Sequence, residues 1–377
     1  GGWKGTNVSI LQGSEADANP LFKFIGFKTG STTEYATACN LNGKTSTVGT
    51  LVSPEIEGGT DAAHATAFNS GMAAISNTLM ALAAQGKNIV TSKHLFGNTY
   101  ALLVATLRRF GVKVRLRDLT NIEAVREAID DNTCCVFLEI LTNPQLEVAD
   151  LKAISEVAHE KNVPLVVDST VIPFTQFSAK SLGVDIEVVS SSKYVSGGAT
   201  SLGGLVIDYG TPYNGDFAKR LYGEMLFNFG AYMTPQVAYM QTIGLETLDA
   251  RYRVQSSNAL ELAKKLRSLP QIKYVNYVGL EDNPYHELAQ RQFGKTAGAM
   301  ICIDLESKEA CFSFLNNLKL IHRATNLFDN RSLAIHPAST IFGAFSESMR
   351  KSMDVKDTTI RLSVGLEDVD DLFEDIK

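Results

Sequence analysis

The sequence predicts an α/β protein with a mostly parallel sheet that carries helices on both faces, followed by a smaller α/β domain. Between about residues 88 and 208, short apolar runs alternate with helical runs, which is the pattern of βαβ units. This alternation gives way near Tyr232 to a long helical stretch, and strands recur only beyond it. We therefore predict an N-terminal arm at 1–56, a larger domain at 57–232 and a C-terminal domain at 233–377.

The predicted elements of the larger domain begin with a helix. Ser70–Gly86 places apolar residues at helical spacing, with Ser70 as N-cap candidate and Gly86 as C-cap candidate. The strands predicted after it are Asn88–Ser92, Val112–Leu116, Cys134–Leu141, Pro164–Asp168, Ile186–Ser190 and Gly204–Asp208. The helices predicted between some of them are Tyr100–Phe110, Ile122–Asp130 and Asp150–Lys161. Such apolar strands are typical of a parallel sheet buried on both faces.

The C-terminal domain is predicted to open with a helical stretch, Pro235–Leu269, whose proline suits the first turn of a helix. The elements predicted beyond it are strands at Ile272–Val278, Ala299–Leu305 and Thr359–Val364 and helices at Lys308–Leu318 and Asp368–Ile376. The first 56 residues are rich in Gly, Ser, Thr and Asn and show no sustained period. They predict an extended arm with at most one short helix.

Composition narrows the class of protein. Among 377 residues, 45% are hydrophobic and 20% charged, and the net charge of −6 gives no basic footprint for nucleic acid or an anionic membrane. The first residues, Gly-Gly-Trp-Lys-Gly, lack the basic-then-apolar pattern of a signal peptide, and the sequence contains no apolar run of about 18 residues. We expect the five cysteines to be reduced thiols. We therefore expect a cytoplasmic protein that binds neither nucleic acid nor membrane.

Several catalytic motifs are missing from the sequence. It contains no GxxxxGK[ST] phosphate loop, no GxSxG elbow and no HExxH, and the six histidines lack a metal-ligand spacing. These observations disfavour a nucleotide enzyme, and we expect no metal site.

Polar residues follow three of the predicted apolar strands. Glu139 and Asn143 follow one apolar run, Asp168 ends the next, and Ser190-Ser-Ser-Lys193 closes a third. The carboxyl ends of parallel strands open into one cleft, where burial would lower the pKa of a lysine and suit it to Schiff-base chemistry. A carboxylate there could pair with the pyridine nitrogen of pyridoxal 5′-phosphate (PLP). Taken singly, Lys193 could instead cap a carbonyl and Asp168 could cap the next turn.

At this point the sequence resembles the Cys/Met-metabolism family of PLP-dependent enzymes, which includes cystathionine synthases and lyases, methionine γ-lyase and O-acetylhomoserine sulfhydrylase. Nine motifs carry the resemblance, in order along most of the chain. They are Glu57-Gly-Gly-Thr-Asp-Ala62, Ser70-Gly-Met72, Phe96-Gly-Asn-Thr99, Thr142-Asn-Pro144, Asp168-Ser-Thr170, Ser190-Ser-Ser-Lys-Tyr194, Leu202-Gly-Gly204, His336-Pro-Ala-Ser339 and Arg361-Leu-Ser-Val-Gly365.

The resemblance implies an aspartate-aminotransferase-like fold of type I, with 57–232 as the PLP-binding domain. It implies that Lys193 is the catalytic lysine bound to the cofactor, and that Asp168 keeps the pyridine nitrogen protonated. Asn143 would bond the phenolic oxygen, the ring of Phe96 would stack on the cofactor, and Thr170 would complete the cofactor-binding set. Each of these residues lies in a matched motif or at its end.

The resemblance also implies ligands for the two anionic groups. The PLP phosphate would lie at a helix start against neutral donors, which are Gly71, Met72, Ser190 and Ser192. Arg361 would grip the substrate α-carboxylate with its planar fork, helped by Asn326.

The activity implied is γ-replacement of the O-acetylhomoserine sulfhydrylase type, in methionine biosynthesis. O-acetyl-L-homoserine and sulfide, or a small thiol, would give homocysteine and acetate, with sulfur supplied free or by a sulfur-carrier protein. Phe96 stands where many members carry Tyr, and Asn98 where methionine γ-lyases carry Cys. The alternatives are chemistry of the cystathionine γ-synthase or methionine γ-lyase type, or a non-catalytic α/β scaffold in which Lys193 is structural.

One departure from the family concerns the phosphate. Members carry a Tyr-x-Arg…Asn-Pro-Thr segment that reaches the phosphate of a neighbouring subunit, and Lys44–Ile56 contains no such motif. We expect that a stretch before Glu57 is missing from this sequence. Because the visible cradle is neutral, we expect a cation from an Arg of a second subunit, with Lys44 as the local alternative. The resemblance implies a homotetramer built as a dimer of dimers.

Overall fold

The computed structural model describes residues 38–41, 44–47 and 62–377. Strands β1 (Ala38–Leu41) and β2 (Lys44–Thr47) form an antiparallel ribbon. The motif residues Glu57–Asp61 and most of the predicted arm lie outside the described residues.

A seven-stranded sheet forms the centre of residues 62–377. Its strands are β3 (His64–Phe68), β4 (Asn88–Ser92), β5 (Lys113–Arg117), β6 (Thr133–Glu139), β7 (Leu165–Asp168), β8 (Ile186–Val189) and β9 (Gly204–Asp208). In the order β3-β9-β8-β7-β6-β4-β5, the run from β8 to β5 is parallel, whereas β9 is antiparallel to both neighbours. The predicted mostly parallel sheet is confirmed, and β3 is an additional edge strand that the sequence did not reveal.

The helices lie on both faces of this sheet and around the second one. They are α1 (Gly71–Leu82), α2 (Gly97–Ala101), α3 (Ile122–Ala128), α4 (Leu151–His159), α5 (Phe217–Arg220), α6 (Phe227–Phe229), α7 (Pro235–Glu246), α8 (Leu248–Leu266), α9 (His286–Phe293), α10 (Lys308–Asn317), α11 (Glu347–Ser352) and α12 (Val369–Ile376). Three predicted helices differ from the structure. The helix predicted at Tyr100–Phe110 begins earlier, with α2 at Gly97, and continues as a π-helical segment at Leu102–Leu107. Gly86 does not cap α1, because its left-handed conformation (φ 88°) serves the turn into β4. The stretch Pro235–Leu269 is two helices, divided at Thr247.

Successive residues of β6 show how both faces of the sheet are covered. Val136 and Leu138 point into a core that includes Leu151 of α4, whereas Phe137 points into a core that includes Leu79 of α1. All five side chains are fully or almost fully buried. Because strand side chains alternate between faces, an uninterrupted apolar run requires such helices on both sides.

The second sheet of residues 62–377 has five strands. They are β10 (Tyr274–Asn276), β11 (Met300–Asp304), β12 (His322–Arg323), β13 (Leu333–Ile335) and β14 (Thr359–Ser363), in the order β10-β11-β14-β13-β12. Only β12 and β13 pair in parallel. The strand β14 brings Arg361 to the region where β6, β7 and β8 end, so both sheets contribute to one cavity. The domain boundaries at 56 and 232 stay a prediction.

Candidate active site

A cavity of about 690 Å³ opens at the carboxyl edge of the parallel strands. Every site residue predicted from the sequence lines it, namely Gly71, Met72, Phe96, Asn143, Asp168, Thr170, Ser190, Ser192, Lys193, Asn326 and Arg361. These residues come from strand ends, from the start of α1 and from the second sheet. The structure therefore brings together residues separated by up to 290 positions in the sequence.

Lys193 follows β8 and begins a short 3₁₀ turn at Tyr194–Ser196. Its Nζ donates a hydrogen bond of 2.5 Å to Oδ1 of Asn326. Burial, and next the positive charge of Arg361, lower the pKa of Lys193 to about 8. A substantial fraction of this amine is therefore neutral near physiological pH, which is the form that attacks a carbonyl group.

Asp168 ends β7 and is held by Thr170. Its Oδ1 accepts the N–H of Thr170 at 2.9 Å and the hydroxyl of Thr170 at 2.5 Å. The Thr170 hydroxyl oxygen also accepts the N–H of Ser190 at 2.8 Å, so one side chain ties two strand ends together. Burial raises the pKa of Asp168, against the effect of the two bonds from Thr170. A cationic ring N–H placed beside it would stabilise the carboxylate form.

An anion cradle is formed where α1 begins. The Ser70 hydroxyl accepts the N–H of Ala73, and this cap leaves the N–H groups of Gly71 and Met72 without partners inside the helix. A Cβ added to Gly71 would lie 2.6 Å from the Cβ of Ser190, so only glycine permits this approach. Helix N-termini with free N–H groups bind phosphate.

The hydroxyl of Ser192 is hydrogen-bonded to the backbone of Gly203. Its hydroxyl oxygen accepts the N–H of Gly203 at 2.9 Å, and the hydroxyl lies 3.2 Å from the Gly203 carbonyl oxygen. Among the described residues that line the cavity, only Lys193 and Arg361 carry positive charge. The expected cation for the phosphate thus stays a prediction, and the side chain of Lys44 lies outside the described residues.

Arg361 is buried and has no carboxylate partner among residues 62–377. Its Nη1 donates to Oδ1 of Asn143 at 3.1 Å, and Nη2 donates to the carbonyl oxygens of Thr325 and Asn326 at 3.1 and 3.0 Å. Its Nε meets no hydrogen-bond partner among the residues that the structure describes. Burial lowers the pKa of Arg361 to about 10. A buried guanidinium held only by neutral oxygens is suited to a carboxylate ligand.

Some residues of the site were not assigned from the sequence. Glu139 was expected to open into the cleft but was given no role, and it lines the cavity, as do Asn98, Leu202 and Ile341. The sequence feature that marks Glu139 is a carboxylate within an apolar run, on the strand that neighbours the strand of Asp168. Leu202 and Ile341 gave no signal, because their place depends on how distant loops pack.

Behind Lys193, the ring of Tyr194 stacks on Phe328 at 4.2 Å between centroids. Phe328 has a left-handed backbone (φ 58°) and donates its N–H to Oγ of Ser363 at 2.6 Å. We predict that Phe328→Ala is destabilised by about 3–5 kcal/mol through loss of the buried ring. Phe328→Gly should be more stable than the alanine variant by about 1 kcal/mol, because glycine adopts this backbone without strain. Urea denaturation of the two variants measures this difference.

The matched control for this prediction is Phe342, which is fully buried and does not have a positive φ. There the order should reverse, with the alanine variant more stable than the glycine variant. An alanine variant at position 328 as stable as the glycine variant would contradict the assigned backbone strain.

The cavity fits a cofactor with a phosphate, a ring nitrogen and an aldehyde. The glycine cradle suits the phosphate, Asp168 suits a ring N–H and the neutral amine of Lys193 suits the aldehyde. No group of three or more metal-ligating side chains occurs within the described ranges. None of the described helices combines the length and hydropathy that a membrane span requires.

Comparison of sequences relates the chain to known enzymes. The profile of the family described as Cys/Met metabolism PLP-dependent enzyme matches residues 32–377. An L-methionine gamma-lyase from Fusobacterium nucleatum subsp. polymorphum is 39% identical over 317 residues, covering 83% of this chain and 78% of the lyase.

Solved structures give a related result. An O-acetylhomoserine sulfhydrylase from Wolinella succinogenes, active in methionine biosynthesis, superposes with a TM-score of 0.76 at 42% identity, covering 85% of this chain and 93% of that one. A protein of Campylobacter jejuni subsp. jejuni, assigned as an O-acetylhomoserine (thiol)-lyase, superposes with a TM-score of 0.83 at 33% identity, covering 86% and 84%. It carries a pyridoxyl group on a lysine.

Proposed function

Because the chain belongs to the Cys/Met-metabolism family of PLP-dependent enzymes, we propose that it replaces the γ-substituent of an O-acylated homoserine with sulfur. The type I fold, the enzyme class and the PLP cofactor predicted from the sequence are confirmed by this membership. The proposed reaction converts O-acetyl-L-homoserine and sulfide, or a small thiol, to homocysteine, or the thioether, and acetate. A sulfhydrylase at 42% identity supports this reaction.

The observation that carries the proposal is that Lys193 and Arg361 line the same cavity. When bound, PLP accepts the electron pair released at the substrate Cα. We propose that Lys193 removes and returns the Cα proton, for which its lowered pKa keeps a fraction neutral. Arg361 would hold the α-carboxylate, and Asp168 would hold the proton of the ring nitrogen. Gly71, Met72, Ser190 and Ser192 would hold the phosphate.

Phe96 supports an acyl leaving group. It lines the cavity but has no hydroxyl, so it cannot protonate a departing group. Acetate leaves as an anion of low basicity, since carboxylic acids have a pKa of about 4, whereas a thiolate derives from a thiol of pKa about 8.5. Replacement at an acyl ester therefore demands less acid catalysis than elimination of a thiol from methionine or cystathionine.

A lyase is the second candidate. It is supported by the L-methionine gamma-lyase at 39% identity. Product analysis tests the two reactions: the purified enzyme is given O-acetylhomoserine with sulfide, and in parallel methionine or cystathionine alone. We expect homocysteine and acetate from the first mixture at a rate at least tenfold above 2-oxobutanoate from the others. The opposite ratio would establish a lyase, and failure to react with any of them would refute both candidates.

Arg361→Lys is predicted to raise the KM for O-acetylhomoserine about 10- to 100-fold with unchanged PLP content. Lysine keeps the positive charge but cannot donate two parallel hydrogen bonds to the substrate carboxylate. Loss of one charged hydrogen bond costs about 1.5–3 kcal/mol. Steady-state kinetics measure the KM, and absorbance after alkaline release measures the PLP. Loss of PLP instead would place Arg361 at the phosphate rather than at the substrate.

We propose that the enzyme works as a homo-oligomer, with a homotetramer as the expected form. Exposed apolar side chains of α6, α7 and the loop beside the cavity support this, among them Leu202, Phe229, Met240 and Ile243. A second copy that covers them could also supply the cation for the phosphate. Light scattering at assay concentration tests the proposal, and a fully active monomer would refute it. The cytoplasmic location and the source of sulfur, free or from a carrier protein, stay predictions.

A further inference from the structure

The carboxyl group of Glu139 contacts two segments that form the cavity wall. Glu139 ends β6, is buried, and lies in register with Asp168 at the end of β7. Its Oε1 accepts the N–H of Phe96 at 2.6 Å. The backbone N–H of Asn143 lies near the same carboxyl group and favours its charged form, which lowers its pKa. One carboxyl group therefore binds the main chain of Phe96 and lies beside the main chain of Asn143, the two residues whose side chains are assigned to the cofactor ring.

Neither Phe96 nor Asn143 lies in a β-strand, so pairing with a neighbouring strand does not hold its backbone. Phe96 precedes α2 with an extended backbone (φ −52°, ψ 136°), and its carbonyl accepts the N–H of Tyr100, which is the first backbone hydrogen bond of the helix. Asn143 lies in the connection after β6, and its side chain accepts the bond from Arg361. A displacement at Glu139 would therefore reach the ring of Phe96, the amide of Asn143 and, through that amide, Arg361.

We propose that Glu139 is a positioning residue, which fixes Phe96 and Asn143 relative to Asp168 so that the cofactor ring is held in one orientation. The inference rests on the proposed roles of Phe96 and Asn143. A carboxyl group can accept on both oxygens, so it can serve N–H groups that approach it from two segments. Burial and the neighbouring Asp168 raise the pKa of Glu139, and the two backbone N–H groups oppose that effect.

Glu139→Gln in the holoenzyme tests the proposal. Glutamine has nearly the same shape, but it replaces one acceptor oxygen with an NH₂ donor and removes the charge that attracts the backbone N–H groups. We expect PLP to dissociate about tenfold faster, the factor that about 1.4 kcal/mol gives. We also expect the visible circular dichroism of bound PLP, which reports the surroundings of the ring, to fall by half or more.

The matched control is Glu187→Gln. Glu187 is also buried beside Asp168 and accepts bonds from Ser169 and Tyr209, but it does not line the cavity. It shares the burial and the charge of Glu139 without contacting Phe96 or Asn143. We expect PLP release within twofold of wild type and an unchanged dichroic band in this variant.

The outcomes separate positioning from a general structural role. If both variants change PLP release and dichroism equally, or if Glu139→Gln changes neither, the proposal is wrong. If Glu139→Gln does not fold, Glu139→Asp keeps the acid but withdraws it by one methylene, and the same two readouts must shift in that variant. Neither readout uses a sulfur donor, so they stand even if the enzyme proves not to be a sulfhydrylase.

Discussion

Lys193→Ala is expected to lower turnover of O-acetylhomoserine by about 10⁴-fold, the upper range for a positioned general base. Lys193 is the only described amine lining the cavity, and its Nζ is oriented by the bond to Asn326. Alanine offers neither an amine for the aldehyde nor a base for the Cα proton. The variant should also lack the visible absorbance of lysine-bound PLP, although the phosphate cradle remains. Steady-state kinetics and an absorption spectrum measure the two effects.

Lys219→Ala is the control for this prediction, because Lys219 is exposed on α5 away from the cavity. It should retain activity and colour. The pH dependence of PLP capture by the cofactor-free wild type gives a second check. With a pKa of about 8, the amine of Lys193 is mostly neutral once the pH rises above 8. A lysine of ordinary pKa would stay almost fully protonated there, and at pH 7 only roughly one part in three thousand of it is neutral. Full activity in the Lys193 variant would remove this residue from the chemistry.

Local signals explain why much of the fold could be predicted. The strands β4 and β9 have the predicted bounds, because each has an apolar centre, at Ile89-Val90 and at Leu205-Val-Ile207, as a strand buried on both faces requires. Lys193 and Asp168 were found through the same runs, since a polar residue directly after an apolar strand lies at the ligand-binding edge. The sequence alone was therefore sufficient to place a residue whose position depends on a single strand or helix.

Contacts between distant elements explain the rest. The bond from Arg361 to Asn143 joins residues that the sequence assigned to different ligands, and it depends on how the second sheet packs on the first. The left-handed backbone of Phe328 gave no signal, because a bulky aromatic residue predicts the opposite. The turn at Gly86 depends on the bond from its N–H to the carbonyl of Gly111, which local spacing does not encode.

Asp168→Asn is expected to lower turnover by about 10²- to 10³-fold while PLP stays bound through Lys193. That range is typical when one electrostatic contact to the developing charge is removed. The amide oxygen of asparagine can still accept both bonds from Thr170, so the fold around β7 should persist. Its NH₂ group would then face the cavity, where it cannot stabilise a protonated ring nitrogen. The ring would accept electrons from Cα less readily.

Spectra and kinetics together identify the cause of that loss. The variant should keep its visible absorbance and PLP content, with the loss confined to kcat rather than to the KM for O-acetylhomoserine. Glu187→Gln removes a neighbouring buried acid outside the cavity and should change kcat less than threefold. Near-normal turnover in Asp168→Asn would show that the ring nitrogen has another partner. Glu139 is the one other carboxyl group among the described residues that line the cavity. The double variant Asp168→Asn with Glu139→Gln would then test whether Glu139 is the partner of the ring nitrogen.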